Sequence, residues 1–350
     1  MRISELETPV LTGDLDAIER NVFRMQAYCD EHGVALRPHI KTHKLPELAR
    51  LQLKAGAVGI TCQKLGEAEV MADAGVNDIL LSFPLVGEAK AERLAALAER
   101  VKMTVVGDSA EVALGLAPVL ARHVLEVDFL VECDTGLGRT GVQSPQEAAE
   151  LAELVDGLPG LRFAGLMTYP SLPETAAWLL AARDAIVARG LSVDRVSGGG
   201  TPTAEHTHEL GVVDELRVGT YIYGDRACIA NGSVPLEDCA LRVVATVVSR
   251  PTRERAIIDA GSKTLTSDLA IGATGHGLLV EFPDAEVYAL NEEHGYVDVS
   301  RCEPPPEIGD RVTIVPNHAC TAANMHDEIV MHRGGEIVQT LPTAARGKVR

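Results

Sequence analysis

Apolar runs typical of β-strands alternate with amphipathic runs typical of α-helices through most of this chain. A helix-like run follows each of the first strand-like segments, which are residues 33–36, 58–62, 79–83, 103–106, 129–133 and 161–167. The unit is repeated about eight times before residue 221, which is the pattern of a (β/α)8 barrel; a doubly wound open parallel sheet is the alternative. We predict an α/β barrel domain over residues 1–228.

The pattern changes near residue 227. From residue 241 to residue 341 the strand-like runs are short and are separated by glycine and proline turns, which indicates a mostly antiparallel β-domain. We place this second domain at residues 229–350, and we expect the first strand of the chain to pack with it. The strands predicted in it are residues 243–248, 255–258, 277–282, 287–290, 312–315 and 337–340.

The charge and the cysteines restrict the partners and the compartment. The formal net charge is -18 at pH 7, which argues against nucleic acid and anionic membranes as partners. The seven cysteines are odd in number and contain no CxxC pair, and no apolar run has the length of a membrane span. We expect a cytoplasmic protein with reduced thiols.

A cationic segment, residues 37–44, follows the first barrel strand. Lys41 in this segment therefore lies at the carboxyl end of a strand, where α/β barrels hold their active groups. Burial and neighbouring cations favour a neutral amine, and a neutral amine can form a Schiff base with a carbonyl group or with pyridoxal phosphate. A solvated basic turn is the alternative. We take Lys41 as a catalytic candidate, together with its neighbour His39.

A glycine-rich loop follows the seventh barrel strand, the usual place for a phosphate in such barrels. It consists of Ser197, Gly198, Gly199, Gly200 and Thr201. Three glycines let backbone N–H groups approach phosphate oxygens, and the two hydroxyl groups can add hydrogen bonds. A plain flexible loop is the alternative. Together with Lys41, the loop predicts a site for pyridoxal 5'-phosphate (PLP).

Further cofactor-binding candidates lie at the ends of other strands. Arg139, in a glycine-bracketed loop after the fifth strand, can meet the cofactor ring or form a surface ion pair. Gly219, Tyr221 and Tyr223 follow the eighth strand, where a phenol can contact the phosphate or the substrate, or can pack in the barrel wall.

A metal site is predicted at His318 and Cys320. On an extended chain, residues two apart point to the same side, and imidazole and thiolate are ligands of zinc. Two protein ligands leave coordination positions open, which is typical of a catalytic metal. A buried thiol beside a hydrogen-bonded histidine is the alternative.

Taken together, these motifs resemble those of one family, the D-threonine aldolase and D-serine dehydratase group of fold-type III PLP enzymes. The resemblance covers nearly the whole chain. It implies an alanine-racemase-like barrel with a β-domain, a homodimer, Lys41 as the Schiff-base lysine, and His318 and Cys320 as ligands of a divalent metal, which is Zn²⁺ or, alternatively, Mn²⁺ or Mg²⁺. It rests on residues 38–44, 65–69, 138–141, 197–201, 258–263, 292–295 and 316–320.

The resemblance also implies a reaction, the lysis of D-3-hydroxy-α-amino acids. Retro-aldol cleavage to glycine and an aldehyde is the first expectation. Dehydration to a 2-oxo acid and ammonia, as in a D-serine or 3-hydroxy-D-aspartate dehydratase, is the alternative, and the HxC form of the metal pair is more typical of dehydratases. An amino-acid racemase, without a metal, and a non-catalytic PLP carrier, without a β-domain, are remoter alternatives.

The chain departs from the family after the sixth strand. A histidine is usual there, but residues 165–171 contain none. The base would then be Tyr169, His206 or a metal-bound water, and we take Tyr169 as the third catalytic candidate.

Overall fold

The computed structural model describes all 350 residues. The chain folds into two compact units. The β-unit comprises Met1–Arg24, Thr42–Leu45 and Thr220–Gly347. The barrel unit comprises Met25–Lys41, Pro46–Gly219 and Lys348–Arg350. This division differs from the predicted domains 1–228 and 229–350, because the N-terminal segment and a short segment after Lys41 group with the β-unit.

The chain begins with strand β1 (Val10–Asp14) and helix α1 (Leu15–His32). The helix starts where it does because the Asp14 carboxylate accepts a hydrogen bond from the backbone N–H of Asp16 at 2.9 Å. It ends at Gly33, whose φ of 65° is the left-handed conformation that terminates many helices.

The barrel unit consists of parallel strands and the helices between them. Its strands are β2 (Ala35–Leu36), β3 (Ile60–Cys62), β4 (Asp78–Leu81), β5 (Lys102–Gly107), β6 (Val127–Cys133), β7 (Leu161–Thr168), β8 (Arg195–Gly198) and β9 (Glu215–Leu216). Its helices are α2 (Pro46–Ala55), α3 (Leu65–Asp73), α4 (Glu88–Ala98), α5 (Ala110–Arg122), α6 (Pro145–Asp156) and α7 (Ala176–Val187). A 3-10 helix, Thr201–Leu210, takes the place of an α-helix between β8 and β9.

The eight strands form one sheet in the order β2-β9-β8-β7-β6-β5-β4-β3. The two ends of this order meet at a parallel bridge between His39 and Thr61. The sheet therefore closes on itself, which confirms the barrel prediction and excludes the doubly wound open sheet. Its buried residues include an apolar cluster of Leu80, Val106, Leu130, Ala164 and Met167.

The β-unit is built on a nine-stranded sheet that is mostly antiparallel. The N-terminal strand β1 lies between β10, to which it is antiparallel, and β16, to which it is parallel. Strands β14 and β16 and helices α8, α9 and α10 were not predicted from the sequence. The elements are α8 (Arg226–Ala230), β10 (Leu241–Thr252), β11 (Arg255–Ile258), α9 (Ser262–Leu265), β12 (Leu278–Leu279), β13 (Glu286–Leu290), β14 (Gly295–Asp298), β15 (Arg311–Val315), α10 (Ala319–Met325), β16 (Glu328–Arg333) and β17 (Glu336–Pro342).

None of the helices combines the length and the apolar character needed to cross a membrane.

Candidate functional site

Lys41 lies in a short 3-10 helix, Ile40–Thr42, just beyond the bridge residue His39. Strand β2 ends at Leu36, so the lysine follows the strand by a few residues instead of ending it. The segment is anchored to the barrel, since the backbone N–H of His39 donates to the carbonyl oxygen of Val218 at 2.8 Å. The barrel therefore carries Lys41 on a fixed turn beyond a strand end.

The His39 ring is held by three neighbours. Its Nδ1 lies 3.4 Å from the backbone N–H of Lys41, and its Nε2 lies 3.1 Å from both Gln63 Oε1 and Ser82 Oγ. These contacts assign the proton to Nε2, which donates to Gln63, and leave Nδ1 as the acceptor. In this arrangement His39 supports the turn that carries Lys41.

The glycine loop fits an anion through its backbone. At Gly199, φ is 143°, and a Cβ atom there would lie 2.5 Å from the carbonyl oxygen of Arg217, so only glycine fits. Gly200 precedes the 3-10 helix that begins at Thr201. Because the first N–H groups of a helix have no partner within it, they are suited to phosphate oxygens.

The Ser197 hydroxyl, in contrast, is already occupied. It is fully buried, donates to Glu215 Oε1 at 2.7 Å and accepts from Arg217 Nε at 2.8 Å. Ser197 therefore links the strand ends through its hydroxyl group, which is not free for a ligand.

Arg217 is a candidate that sequence analysis missed. It follows β9 directly and is buried, and its guanidinium also donates to the carbonyl oxygen of Thr168 at 2.5 Å. Burial lowers its pKa to about 10, although Glu215 and Glu132 oppose that effect. A buried cation at a strand end suits an anionic ligand; a single Arg between two apolar residues was the only signal for it.

Glu132, near the end of β6, is a second missed candidate. Its Oε1 accepts a hydrogen bond from the Thr140 hydroxyl at 2.7 Å, whereas its buried Oε2 has no partner. Burial raises the pKa of this carboxyl group. Because a buried oxygen without a partner is unfavourable, Oε2 fits a donor group that arrives with a bound cofactor.

Arg139 and Tyr169 are brought together at the ends of neighbouring strands. The guanidinium carbon of Arg139 lies 5.3 Å from the ring centroid of Tyr169, a cation–π distance. Both side chains are exposed, so they can contact a ligand. The alternative base, His206, is paired with Glu209 Oε1 at 2.9 Å on an exposed helix face, and that contact raises its pKa.

Tyr221 and Tyr223, which follow Gly219, are both fully buried in the β-unit. The Tyr223 hydroxyl has no hydrogen-bond partner, and burial raises its pKa. A buried phenol without a partner fits a polar group of a ligand.

The metal pair has a different local structure from the predicted extended chain, and that prediction was wrong. His318 is the N-cap residue of α10, and Cys320 lies in the first turn of this helix. The two side chains still meet in a hydrogen bond, and this bond, together with one to Asp268, raises the pKa of His318 to about 9 against the opposing effect of burial. The imidazole and the thiol are thus suitable ligands for one ion.

Three contacts hold this corner of the β-unit. Asp225 Oδ2 accepts from the backbone N–H of Ala319 at 3.1 Å, and Asn317 Nδ2 donates to the carbonyl oxygens of Asp268 and Gly275 at 2.9 and 2.8 Å. No cluster of three or more His, Cys, Asp or Glu side chains is arranged for a metal. A metal held by His318 and Cys320 would therefore keep open positions.

Cys320 also contacts the segment that follows the lysine. Its Sγ lies 3.1 Å from the hydroxyl oxygen of Thr42 and 3.7 Å from that of Thr220. Thr42 is the residue after Lys41 in the sequence.

Two family models match most of the chain. Residues 13–227 match the family model described as alanine racemase, N-terminal domain, and residues 240–332 match a putative serine dehydratase domain. A D-threonine aldolase of Arthrobacter sp is 36% identical over 99% of this chain and 94% of its own length.

Two solved structures have the same fold. The crystal structure of a D-threonine aldolase from Filomicrobium marinum is 34% identical, covers 100% of this chain and 98% of its own, and has a TM-score of 0.91. A cysteine-to-alanine mutant of a D-threo-3-hydroxyaspartate dehydratase, in the metal-free form, is 29% identical, covers 98% and 99% of the two chains, and has a TM-score of 0.88.

Proposed function

The chain belongs to the D-threonine aldolase and D-serine dehydratase family of PLP enzymes, and from that premise we propose that it is a lyase for D-3-hydroxy-α-amino acids that uses PLP and a divalent metal. One observation carries the proposal: Cys320 of the metal pair lies 3.1 Å from the hydroxyl of Thr42, the residue after Lys41. Lys41 is therefore the direct sequence neighbour of a residue that contacts Cys320.

The residues of the candidate site fit both PLP and a divalent metal. Lys41 would hold the aldehyde of PLP, and the backbone of Gly199, Gly200 and Thr201 would hold its phosphate. His318 and Cys320 would hold the metal, and Zn²⁺ suits the nitrogen and sulfur ligands best. When bound, PLP supplies an electron sink for negative charge at Cα, and the metal supplies a Lewis acid for the β-hydroxyl group.

The chain's own residues would then orient the substrate and move its protons. We assign Arg139 to the binding of an anionic group, since its guanidinium is exposed beside Tyr169. Tyr169 is the proposed proton acceptor for the β-hydroxyl group in retro-aldol cleavage, because residues 165–171 contain no histidine. In dehydration the Lys41 amine would instead take the proton from Cα.

Of the two reactions we favour retro-aldol cleavage, because the D-threonine aldolases reported above are more similar to this chain in sequence than the dehydratase is. The HxC metal pair is the specific observation that favours dehydration. The test is incubation of the purified holoenzyme with D-threonine, D-serine and D-3-hydroxyaspartate, followed by assays for glycine and for ammonia. Glycine with aldehyde identifies an aldolase and ammonia with a 2-oxo acid identifies a dehydratase, whereas neither product from any substrate would refute the lyase.

We also propose that the chain is a cytoplasmic homodimer. Dimers are usual for fold-type III barrels, and all seven cysteines are free, as a reducing compartment requires. Sedimentation analysis should give twice the chain mass, and a fully active monomer would refute the dimer. Thiol titration of unfolded protein, purified without reductant, should find seven thiols.

A further inference from the structure

The carboxylate of Asp268 lies against the metal pair, although fifty residues separate it from His318 in the sequence. Its Oδ2 is 2.7 Å from Nδ1 of His318 and accepts a second hydrogen bond, also at 2.7 Å, from the hydroxyl of Thr321. The Thr321 hydroxyl lies 3.2 Å from the carbonyl oxygen of His318 as well. Asp268, His318 and Thr321 therefore form one small network.

This network determines which nitrogen of His318 can bind a metal. A carboxylate oxygen accepts hydrogen bonds, so the proton of the neutral ring lies on Nδ1, and the lone pair lies on Nε2. Nδ1 is occupied by Asp268, so Nε2 is the ring nitrogen left for an ion. A metal that His318 shares with Cys320 would therefore bind at Nε2.

The backbone at Asp268 is held independently of any metal. Asn317 is buried, and its side-chain amide donates to the carbonyl oxygen of Asp268 at 2.9 Å. The residue before His318 therefore fixes the loop that carries the carboxylate. This hydrogen bond involves neither His318 nor Cys320, so Asp268 can orient the ring before an ion binds.

We propose that Asp268 is a positioning residue for the metal: it holds the His318 ring in the orientation and tautomer that direct Nε2 to the ion, and Thr321 holds Asp268. This inference rests on the proposed function, because it requires that His318 and Cys320 bind a metal. Asp268 acts through His318 and does not itself ligate. Carboxylates that orient a ligating histidine typically raise metal affinity 10–100-fold, so we expect an effect of about that size.

The test measures Zn²⁺ affinity directly, by competition between the full-length holoenzyme and a chromogenic chelator. Asp268→Ala should weaken Zn²⁺ binding roughly 10–100-fold. Asp268→Asn should weaken it much less, because the amide oxygen accepts the same two hydrogen bonds. The matched control is Asp298→Ala, which removes an exposed carboxylate of the same unit that is hydrogen-bonded to Ser300, and it should leave the affinity unchanged.

The outcomes distinguish a failure of the proposed metal-dependent function from a failure of the positioning role of Asp268. If wild-type protein binds no Zn²⁺, the proposed metal-dependent function fails. If the wild type binds and Asp268→Ala binds equally well, only the positioning role fails. Should Asp268→Asn lose as much affinity as Asp268→Ala, the carboxylate is a direct ligand and the positioning role is again refuted.

Thr321 provides a second test if Asp268→Ala does not fold. Thr321→Val keeps the shape of the side chain but removes the donor to Asp268, so it should weaken Zn²⁺ binding several-fold. Thr321→Ser restores a hydroxyl and should restore the wild-type affinity. Equal affinities for Thr321→Val and the wild type would contradict the network.

Discussion

Lys41 and Lys44 are close in the sequence but differ in what they can do. Lys44 is buried, and its Nζ lies 3.4 Å from the carbonyl oxygen of Ala345, so its amine serves the packing of the β-unit. We expect borohydride to fix the cofactor on Lys41, as peptide mass spectrometry would show. Lys41→Ala should lose the yellow colour and all turnover, whereas Lys44→Ala should keep the colour. A labelled peptide containing only Lys44 would contradict the assignment.

The identity of the second metal ligand bears on the choice between the two reactions. Cys320→Asp replaces a thiolate with a carboxylate, which suits harder ions such as Mn²⁺. If the thiolate favours loss of the hydroxyl group, the variant with Mn²⁺ should shift the products from ammonia towards glycine. Cys320→Ala is the control, because it removes the ligand and should lower both products. An unchanged product ratio in Cys320→Asp would show that the ligand does not select the reaction.

The sequence predicts those site residues that lie within short motifs. Lys41, the glycine loop and the His318–Cys320 pair are each recognisable within a few residues. Asp268, Glu132 and Arg217 are not, because their roles depend on contacts made across the fold: Asp268 meets His318 from a distant loop, and Arg217 meets Ser197 from a neighbouring strand. A single charged residue carries no local pattern, so only the tertiary structure identifies these three.

At the scale of elements, a buried ion-pair network ties the strands of the barrel together. Arg37, which follows β2, donates to Glu215 of β9 at 2.7 Å and to Asp78 of β4 at 2.5 Å, and both Arg37 and Glu215 are almost fully buried. Burial alone would raise the pKa of Glu215, but Arg37 outweighs this effect and holds it below its usual value. The carboxylate is therefore charged in the folded barrel.

Glu215→Gln should destabilise the protein by about 3–5 kcal/mol, because it leaves the Arg37 cation buried without full compensation. Urea denaturation measures this loss, and Glu209→Gln, at an exposed site, is the control with almost no expected change. Since the folded pKa is depressed, the stabilisation is complete above the unfolded pKa of about 4.3 and is lost as the pH falls below it. The wild type and the variant should therefore converge in acid; a difference that persists there would refute the charge argument.

Elements with a strong apolar period are predictable, and short elements that depend on distant partners are not. Strand β7 and helix α6 are predictable from the sequence. Strand β16, in contrast, has charged or polar residues at both ends and is stabilised by pairing with β1 and β17. Helix α10 begins at a corner held by Asp225 and Asn317, which is why a segment expected to be extended is helical after His318.

At the scale of the whole molecule, the sequence predicts a barrel and a β-domain but not how the chain is shared between them. The predicted domains are continuous, whereas the β-unit takes in Met1–Arg24 and Thr42–Leu45. Strand β1 belongs there because it pairs with β10 and β16, more than two hundred residues away. Such pairing leaves no trace in local periodicity.

The same organisation predicts how the molecule responds to loss of its metal. The corner that carries His318 and Cys320 is fixed by Asp225, Asn317 and a buried apolar cluster around Cys228, Val234, Cys239 and Val315. The β-unit therefore does not need the ion to fold, unlike a small zinc domain whose structure depends on its metal.

A chelator should abolish lyase turnover while the thermal unfolding midpoint and the yellow colour remain nearly unchanged. Adding Zn²⁺ or Mn²⁺ should restore turnover. His318→Ala should reproduce the chelated state without any chelator. Unfolding on chelation would instead identify a structural metal, and full turnover without bound metal would leave His318 and Cys320 as packing residues.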